Sequence, residues 1–421
     1  MGNELYEAEG VIGSKQEVLK RVVTTPMLTL YGVGNIVGAG VYVLIGKIAE
    51  PAGYLSVVAF LIAALVAFCA ALSYAELASR FPMSAGVSVY LHEAFKAKYL
   101  SLGVGLMLVA AGIVSSAALL KGFAGYFYQL AAVPPWVSCS VAALVLVAVM
   151  LRGIKESVSM AAILTIIEVG GLLFLIGSIF FMQPHALAQF NDGFLTTWHD
   201  SDITVGMGVI AAAFIAFYAF VGFEDMVNIA EEVKRPQAAY PRAILISMGV
   251  VTVLYIGVAV ATLGVISPHI LGESEAPLAD AYYAATGGNP IVIVIISLLA
   301  TLNGVLVNLV MGSRFLYGMG KRGWLPSALV KLSRQHVPAR TIGIVGGAAL
   351  IAALWLPIDR LAQLTSLFLL CVFFAVNVSL IVIRRNSPEL RHLQISPTFM
   401  PWLGAVMSLA LLIGQGASMI A

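Results

Sequence analysis

Residues 32–42 read GVGNIVGAGVY, four glycines inside an apolar run that extends from about residue 27 to 48. A run of roughly 20 apolar residues crosses a hydrocarbon core of about 30 Å as helix, and glycine permits backbone conformations and close approach that other residues resist. In lipid, unwound backbone survives only where protein covers it or where it lines a polar cavity. An interruption here would present the N–H groups of Ala39, Gly40 and Val41 at the start of the second half-helix, a site for a carboxylate. The carbonyls just before it, near Ile36, would accept from an ammonium group. The alternative is a small-xxx-small packing face built on Gly34 and Gly38. The glycines alone leave both open.

The rest of the chain supplies the context. Of its 421 residues 60% are hydrophobic and 10% charged, against about a quarter charged in a soluble domain. Apolar runs lie near 27–48, 55–78, 100–130, 134–151, 159–182, 205–228, 242–266, 289–318, 341–356, 361–383 and 399–419. These predict an all-α membrane protein with eleven transmembrane helices and termini on opposite sides. Cytoplasmic loops collect Lys and Arg. With residues 1–26 as a cytoplasmic N-terminal segment, 20 of the 23 basic residues fall inside; Lys47 and Arg360 fall outside and Lys121 lies within the third run. The C-terminus is then expected outside the cell membrane. Residues 1–26 lack the basic start and short apolar core of a cleaved signal peptide. A net charge of +2 without a dense basic run argues against nucleic acid. Cys69, Cys139 and Cys371 show no paired spacing and read as small buried hydrophobes.

Runs 1 to 5 and 6 to 10 match in length pattern, which divides the chain into a first five-helix repeat (27–182), a second (205–383) and an eleventh helix (399–419). Because five is odd, the second copy is inverted. Inverted repeats with interrupted helices at matching positions are the sequence signature of alternating-access transporters. The matching second interruption is expected in AFIAFYAFVGFEDMVNIAEEVKRP, residues 213–236, where Phe217, Tyr218, Phe220 and Phe223 surround Gly222 and precede Glu224 and Asp225. Carboxylates near the inner end of a span face a cavity or a partner, or sit at a helix end near the headgroups, the blander reading for Asp225.

Four stretches then resemble a known family. YGVGNIVGAGVYVLIGKIA (31–49), SYAELASRFPMSAGVSVYLHEAF (73–95), FVGFEDMVNIAEEVKRPQAAYPRAI (220–244) and SRFLYGMGKRGWLP (313–326) are similar, in this order, to motifs of the amino acid–polyamine–organocation superfamily, and within it to bacterial amino acid permeases. The resemblance implies a five-plus-five inverted-repeat core with helices 1 and 6 broken. It implies an α-carboxylate site at Gly38, Ala39 and Gly40, with the α-amino group on the carbonyls of Ile36, Tyr218 and Val221. Tyr218 or Phe220, beside Gly222, would gate the substrate. Many relatives have a twelfth helix where this sequence shows eleven, which bears on oligomerisation more than on transport.

Glu168, in LTIIEVGGLL, stands about nine residues or roughly 14 Å into the fifth span, where proton-coupled relatives may carry a basic residue. A carboxylate at that depth is a proton-relay candidate; the alternative is a structural hydrogen bond within the bundle. Glu224 is the second coupling or gating candidate. Sodium coupling needs an oxygen-rich cage, for which run 8 offers Thr301, Asn303, Asn308 and Ser313, so sodium is the weaker expectation. No cofactor or metal is expected. All six histidines fall in loops or at span edges and no His-Glu-x-x-His or paired Cys appears, so no enzyme is predicted. The expected function is proton-coupled uptake of a neutral, apolar amino acid, with an exchanger, a cationic amino acid transporter or a non-transporting receptor as alternatives. Ser115, Ser116, Asn303 and Ser366 are candidates for the side-chain pocket.

Overall fold

The computed structural model describes residues 23–37, 40–81, 86–151, 158–226, 233–333, 337–387 and 393–418. Gly38 and Ala39, two of the residues assigned to the carboxylate site, lie outside the described residues, as does the 1–22 stretch. The described residues form sixteen α-helices: α1 (Thr25–Val37), α2 (Gly40–Ala52), α3 (Ser56–Arg80), α4 (Gly86–Phe95), α5 (Lys98–Tyr128), α6 (Pro135–Leu151), α7 (Val158–Met182), α8 (Ala186–His199), α9 (Ile203–Ala219), α10 (Pro236–Leu263), α11 (Pro268–Glu273), α12 (Pro277–Thr286), α13 (Ile291–Lys321), α14 (Ala339–Trp355), α15 (Ile358–Asn386) and α16 (Met400–Ser418).

Among the described residues, seven segments are long and apolar enough to cross a membrane: 40–80, 98–128, 164–182, 203–226, 236–263, 291–321 and 358–386. Three shorter apolar helices cover 135–151, 339–355 and 400–416. Large apolar side chains such as Leu144, Phe181, Ile203, Val253 and Ile413 are exposed on these helices, as a lipid-facing surface requires, because lipid tails are as apolar as leucine. The interior instead holds alanines and aromatics. On α3 the run Ala59, Ala63, Ala67, Ala70, Ala71 is buried, small residues that bring backbones together where no hydrophobic driving force acts between helices.

The long helices α5 and α13 pack on each other, α3 on α10, and α2 on α9. α1 lies against α7 and α10; α9 lies against α15 and α3. The connections between α3 and α5 and between α10 and α13 hold short helices, α4, and α11 with α12. The apolar runs do not anticipate α8, between the fifth and sixth. Its sequence ALAQFNDGFLTTWH is too polar to register as a span; Phe190 anchors it edge-on against Tyr54, 6.3 Å between ring centroids.

At the Lys321 end of the bundle, Glu76 is fully buried and accepts hydrogen bonds from Arg80 Nη2 (2.7 Å), Arg384 Nε (2.9 Å) and the Ile395 N–H (3.0 Å). Arg384 Nη2 also donates to Ser396 Oγ at 2.8 Å. One carboxylate thus ties α3 to α15 and to the segment leading into α16, and removing it would strand two guanidinium groups with little water to solvate them.

Candidate functional site

The residues flanking 38–39 and the turn after α9 meet at the centre of the fold. α9 ends at Ala219, Phe220 keeps helical dihedrals, and Gly222 follows with φ +129°. That conformation is open to glycine and strained for any other residue. A Cβ at Gly222 would stand 2.5 Å from the Asn35 carbonyl oxygen, so the chain after α9 runs against the end of α1 with no room for a side chain. On the other side of the junction, a Cβ at Gly40 would stand 2.5 Å from Ala219 Cα. The packing alternative also has its place, because a Cβ at Gly34 would strike Thr165 of α7 at 1.9 Å from Oγ1. Glycines therefore serve close approach on both sides of the α1–α2 junction.

α9 points its C-terminal, carbonyl-bearing end to this place, the end that favours a cation, and the Ile36 carbonyl of α1 stands there with it. The Tyr255 hydroxyl of α10 lies 2.8 Å from the carbonyl oxygen of Ile36 and 2.8 Å from that of Ala219. A hydroxyl has one proton to donate, so the two carbonyls share it. Tyr218 O accepts from the Val221 N–H at 3.1 Å. A carbonyl has a second lone pair, so the assigned amino site on Ile36 and Tyr218 keeps acceptor capacity.

A cavity opens beside this junction, lined by Asn35, Ile36, Gly40, Tyr218, Gly222 and Asn303 among others. A second extends toward the Lys98 and Lys321 ends of α5 and α13 through Leu108, Phe315 and Glu224. Ser115, Val221, Asp225 and Asn308 border both. At the border, Asn308 Nδ2 donates to Ser115 Oγ at 2.9 Å, and Ser115 Oγ and Tyr218 Oη are 2.9 Å apart. Phe220, by contrast, is fully buried edge-on to Phe60 and Tyr255, with ring centroids 6.4 and 5.2 Å away. Of the two aromatics proposed as gates, Tyr218 is the one on the cavity wall.

Glu168 is 1% exposed. Asn303 Nδ2, from the cavity wall, donates to its Oε1 at 3.3 Å, while its Oε2 has no partner among the described residues. Tyr42 Oη donates to the Glu168 backbone carbonyl at 2.6 Å, and Tyr126 Oη donates to the Tyr42 carbonyl at 2.5 Å. Glu224, 4% exposed, accepts the N–H of Gly222 at 2.9 Å, closing the turn after α9 on itself. Ser366 Oγ and Asn35 Nδ2 are buried without a partner among the described residues. Among the described residues no cluster of three His, Cys, Asp or Glu could hold a metal ion.

Sequence reasoning misses Tyr255, Tyr42 and Asn35. A single tyrosine in an apolar run carries no spacing signal, and only the fold reveals that its hydroxyl meets a freed carbonyl. Asn35, flanked by glycines, does carry one, as a polar group inside a span.

A model of the family described as amino acid permease matches residues 23–420. The chain belongs to the amino acid permease family. Among curated relatives it is 30% identical over 404 residues to the branched-chain amino acid permease BcaP of Bacillus subtilis (strain 168), covering 90% of this chain and 84% of that protein. It is 26% identical to the methylthioribose transporter of the same organism, with 90% and 84% covered. Against the vacuolar cationic amino acid transporter 2 of Arabidopsis thaliana the identity is 28%, covering 88% of this chain and 61% of that protein. Membership makes this a multi-pass membrane protein of amino acid transport, and the two abutting junctions and their cavity sit at the core of a permease.

Proposed function

We propose that this permease is a secondary active transporter that takes up a neutral, apolar amino acid with a proton by alternating access across the cytoplasmic membrane. Eleven transmembrane helices are arranged as two inverted repeats of five plus one, with the N-terminus in the cytoplasm and the C-terminus outside. The packing pattern supports the repeat. α1 touches the fifth and seventh membrane helices, and α9, its counterpart, touches the tenth and second. The observation that carries the function is the cavity where Ile36, the carbonyl end of α9 and the Gly40 backbone come together. One end of such a site suits an ammonium group and the other a carboxylate.

The state of the site supports alternating access. On the Tyr128 side, Lys47 Nζ donates to the Gly272 carbonyl at 2.7 Å, and a Cβ at Gly46 would stand 2.1 Å from the Leu271 carbonyl oxygen. α2 is thus sealed against α11. On the other side the second cavity leads away from the site toward the cytoplasmic ends of α5 and α13. The site is closed outside and accessible inside.

For coupling, Glu168 stands behind Asn303, which touches both the carboxylate and the substrate cavity. A proton on Oε2 would be sensed at the cavity through that amide. Thr301 and Ser313 stand twelve residues apart on α13, about 18 Å along the helix, too far apart to share one sodium cage. In proteoliposomes with an imposed proton gradient, the wild type accumulates L-leucine and continues to do so with sodium replaced by choline. Glu168→Gln loses gradient-driven accumulation, by about tenfold or more, while retaining leucine counterflow. Gradient-driven uptake that survives Glu168→Gln would rule the coupling role out.

A second reading has its own observation. Asp225 borders both cavities and Glu224 the inner one, so a cationic side chain could be held there, as the names of several relatives suggest for those proteins. Competition of L-lysine against L-leucine for uptake separates the two: lysine wins under this reading and leucine under the first.

A further inference from the structure

Away from the central cavities, a groove opens at the Lys321 end of the bundle between α6, α13 and α14. Met150 of α6, Leu306, Val310 and Arg314 of α13, and Val337 and Ile342 around the start of α14 form its walls. Leu306, Val310 and Arg314 follow one another at a spacing of four residues, so they share one face of α13. Among the described residues Arg314 is the one charged side chain on these walls. It is exposed, and it makes no hydrogen bond or ion pair among the described residues. The other polar side chain, Ser313, is satisfied within its own helix, its hydroxyl donating to the Val310 carbonyl at 2.8 Å.

The depth of Arg314 follows from the rest of α13. At the opposite end of that helix Ile291, Val292, Ile295 and Leu299 are exposed, so lipid hydrocarbon reaches its first turn. A core of about 30 Å takes about 20 helical residues, which puts the far edge of the hydrocarbon near residue 311. Arg314 then stands at the level of the lipid phosphates, and Val310 and Leu306 lie beneath it at the level of the acyl chains. The groove is continuous with lipid-facing surface on both flanks, where Leu144 and Val145 of α6 and Ile344 of α14 are exposed. Nearby, α14 closes on both other helices: a Cβ at Gly312 would stand 3.2 Å from Val345 Cγ1, and one at Gly346 would stand 2.4 Å from Val147 Cγ2. A guanidinium pairs with a phosphate through two parallel N–H···O bonds, charge-assisted and stronger than neutral ones. A phosphodiester carried on acyl chains uses both the cation and the apolar stripe below it. A zwitterionic headgroup brings a cation of its own beside Arg314, which weakens that pairing.

We propose that this groove is a binding site for one anionic phospholipid, its phosphate on Arg314 and an acyl chain along Val310 and Leu306. The site goes beyond the transport reading and does not depend on it. α13 then carries the lipid on one face and, through Asn303 and Asn308, the wall of the central cavity on another.

The test reads lipid binding, so its outcome is independent of which substrate is carried. The full chain in detergent micelles receives phosphatidylglycerol or phosphatidylcholine with identical acyl chains, and retained lipid is counted by native mass spectrometry. One phosphatidylglycerol per protein is retained about tenfold better than phosphatidylcholine. Arg314→Gln removes that preference, Arg314→Lys keeps most of it, and Lys321→Gln, which takes an equal charge from the same end of α13, leaves it unchanged. Val310→Trp fills the groove and lowers phosphatidylglycerol retention about fivefold. Excess glycerol 3-phosphate, a headgroup phosphate without chains, displaces little of the lipid. The proposal is overturned by a wild type without preference, by a preference that survives Arg314→Gln, or by an equal loss in Lys321→Gln. Full displacement by glycerol 3-phosphate also overturns it and assigns the groove to a small phosphate. Where Arg314→Gln fails to fold, Val310→Trp decides: retention equal to that of the wild type overturns the site.

Discussion

The junction between α1 and α2 and the turn after α9 meet at the same place, yet they are built from different materials. The first depends on glycines that let one backbone lie on another: Gly40 against Ala219 and Gly34 against Thr165. The second is walled by aromatics, with Phe220 against Tyr255 and Phe223 against Tyr74 and Phe373 at 5.6 and 5.1 Å. It has one glycine in a conformation only glycine adopts freely, Gly222, whose N–H is held by the carboxylate two residues on. Steric absence shapes one side and a specific hydrogen bond the other. The two should therefore fail differently when mutated.

Steric absence is unforgiving, and the largest effect is expected there. Gly40→Val would push a branched side chain into the Ala219 backbone, where even the first carbon has 2.5 Å. Backbone cannot move aside as a flexible side chain can, and overpacking costs about 1–3 kcal/mol or more. We expect uptake to fall at least about 100-fold. Gly170→Ala on α7, with nothing within 4 Å of the added carbon, should match the wild type in uptake and thermal unfolding. A Gly40→Val protein that transports normally would show that the two junctions separate freely, contrary to the packing.

Much of the first junction is legible in the sequence because glycine in an apolar run has few explanations. GVGNIVGAGVY announces a special backbone, and Ile36 and Gly40, singled out from it, stand on the cavity that the structure outlines. So do Tyr218, Val221 and Gly222, because the aromatic cluster around a lone glycine ends in two carboxylates. What escapes a reading of the sequence are contacts between distant segments. Tyr255 reaches the junction from 36 residues beyond Ala219, and Glu76 joins neighbouring Arg80 to Arg384, which is 308 residues away. In the sequence those two arginines are topology signals, and the structure gives them a structural partner as well. Polar contacts inside a bundle carry no periodicity, so no window along the chain exposes them.

The hydrogen-bonded turn after α9 should yield a graded response. Glu224→Ala leaves the buried Gly222 N–H without an acceptor, a loss of about 1–3 kcal/mol, and uptake should drop about 10- to 100-fold. Glu224→Gln keeps an oxygen within reach of that N–H and should remain within a few-fold of the wild type. Leucine uptake by the two variants, side by side, discriminates the roles. If Gln proves as damaging as Ala, the charge itself is used, as a gating or coupling group, and the turn is incidental.

The smallest effect is expected where the two junctions are joined. Tyr255→Phe keeps the ring, and with it the edge contacts to Phe60 and Phe220 at 5.8 and 5.2 Å, but removes the proton shared between Ile36 and Ala219. A neutral hydrogen bond contributes about 1 kcal/mol net, which is about fivefold in an equilibrium constant. Two opposing consequences follow from that one loss. The freed carbonyls gain acceptor capacity for an ammonium group, which tightens binding, while the two half-helix ends lose their common tether, which loosens the site. Because each carbonyl already has a second lone pair for the substrate, losing the tether outweighs the gain in acceptors, and KM for leucine should rise about fivefold with kcat nearly unchanged. A fall in KM would mean that the hydroxyl competes with the substrate for these carbonyls, and the two junctions would then be held together by packing alone.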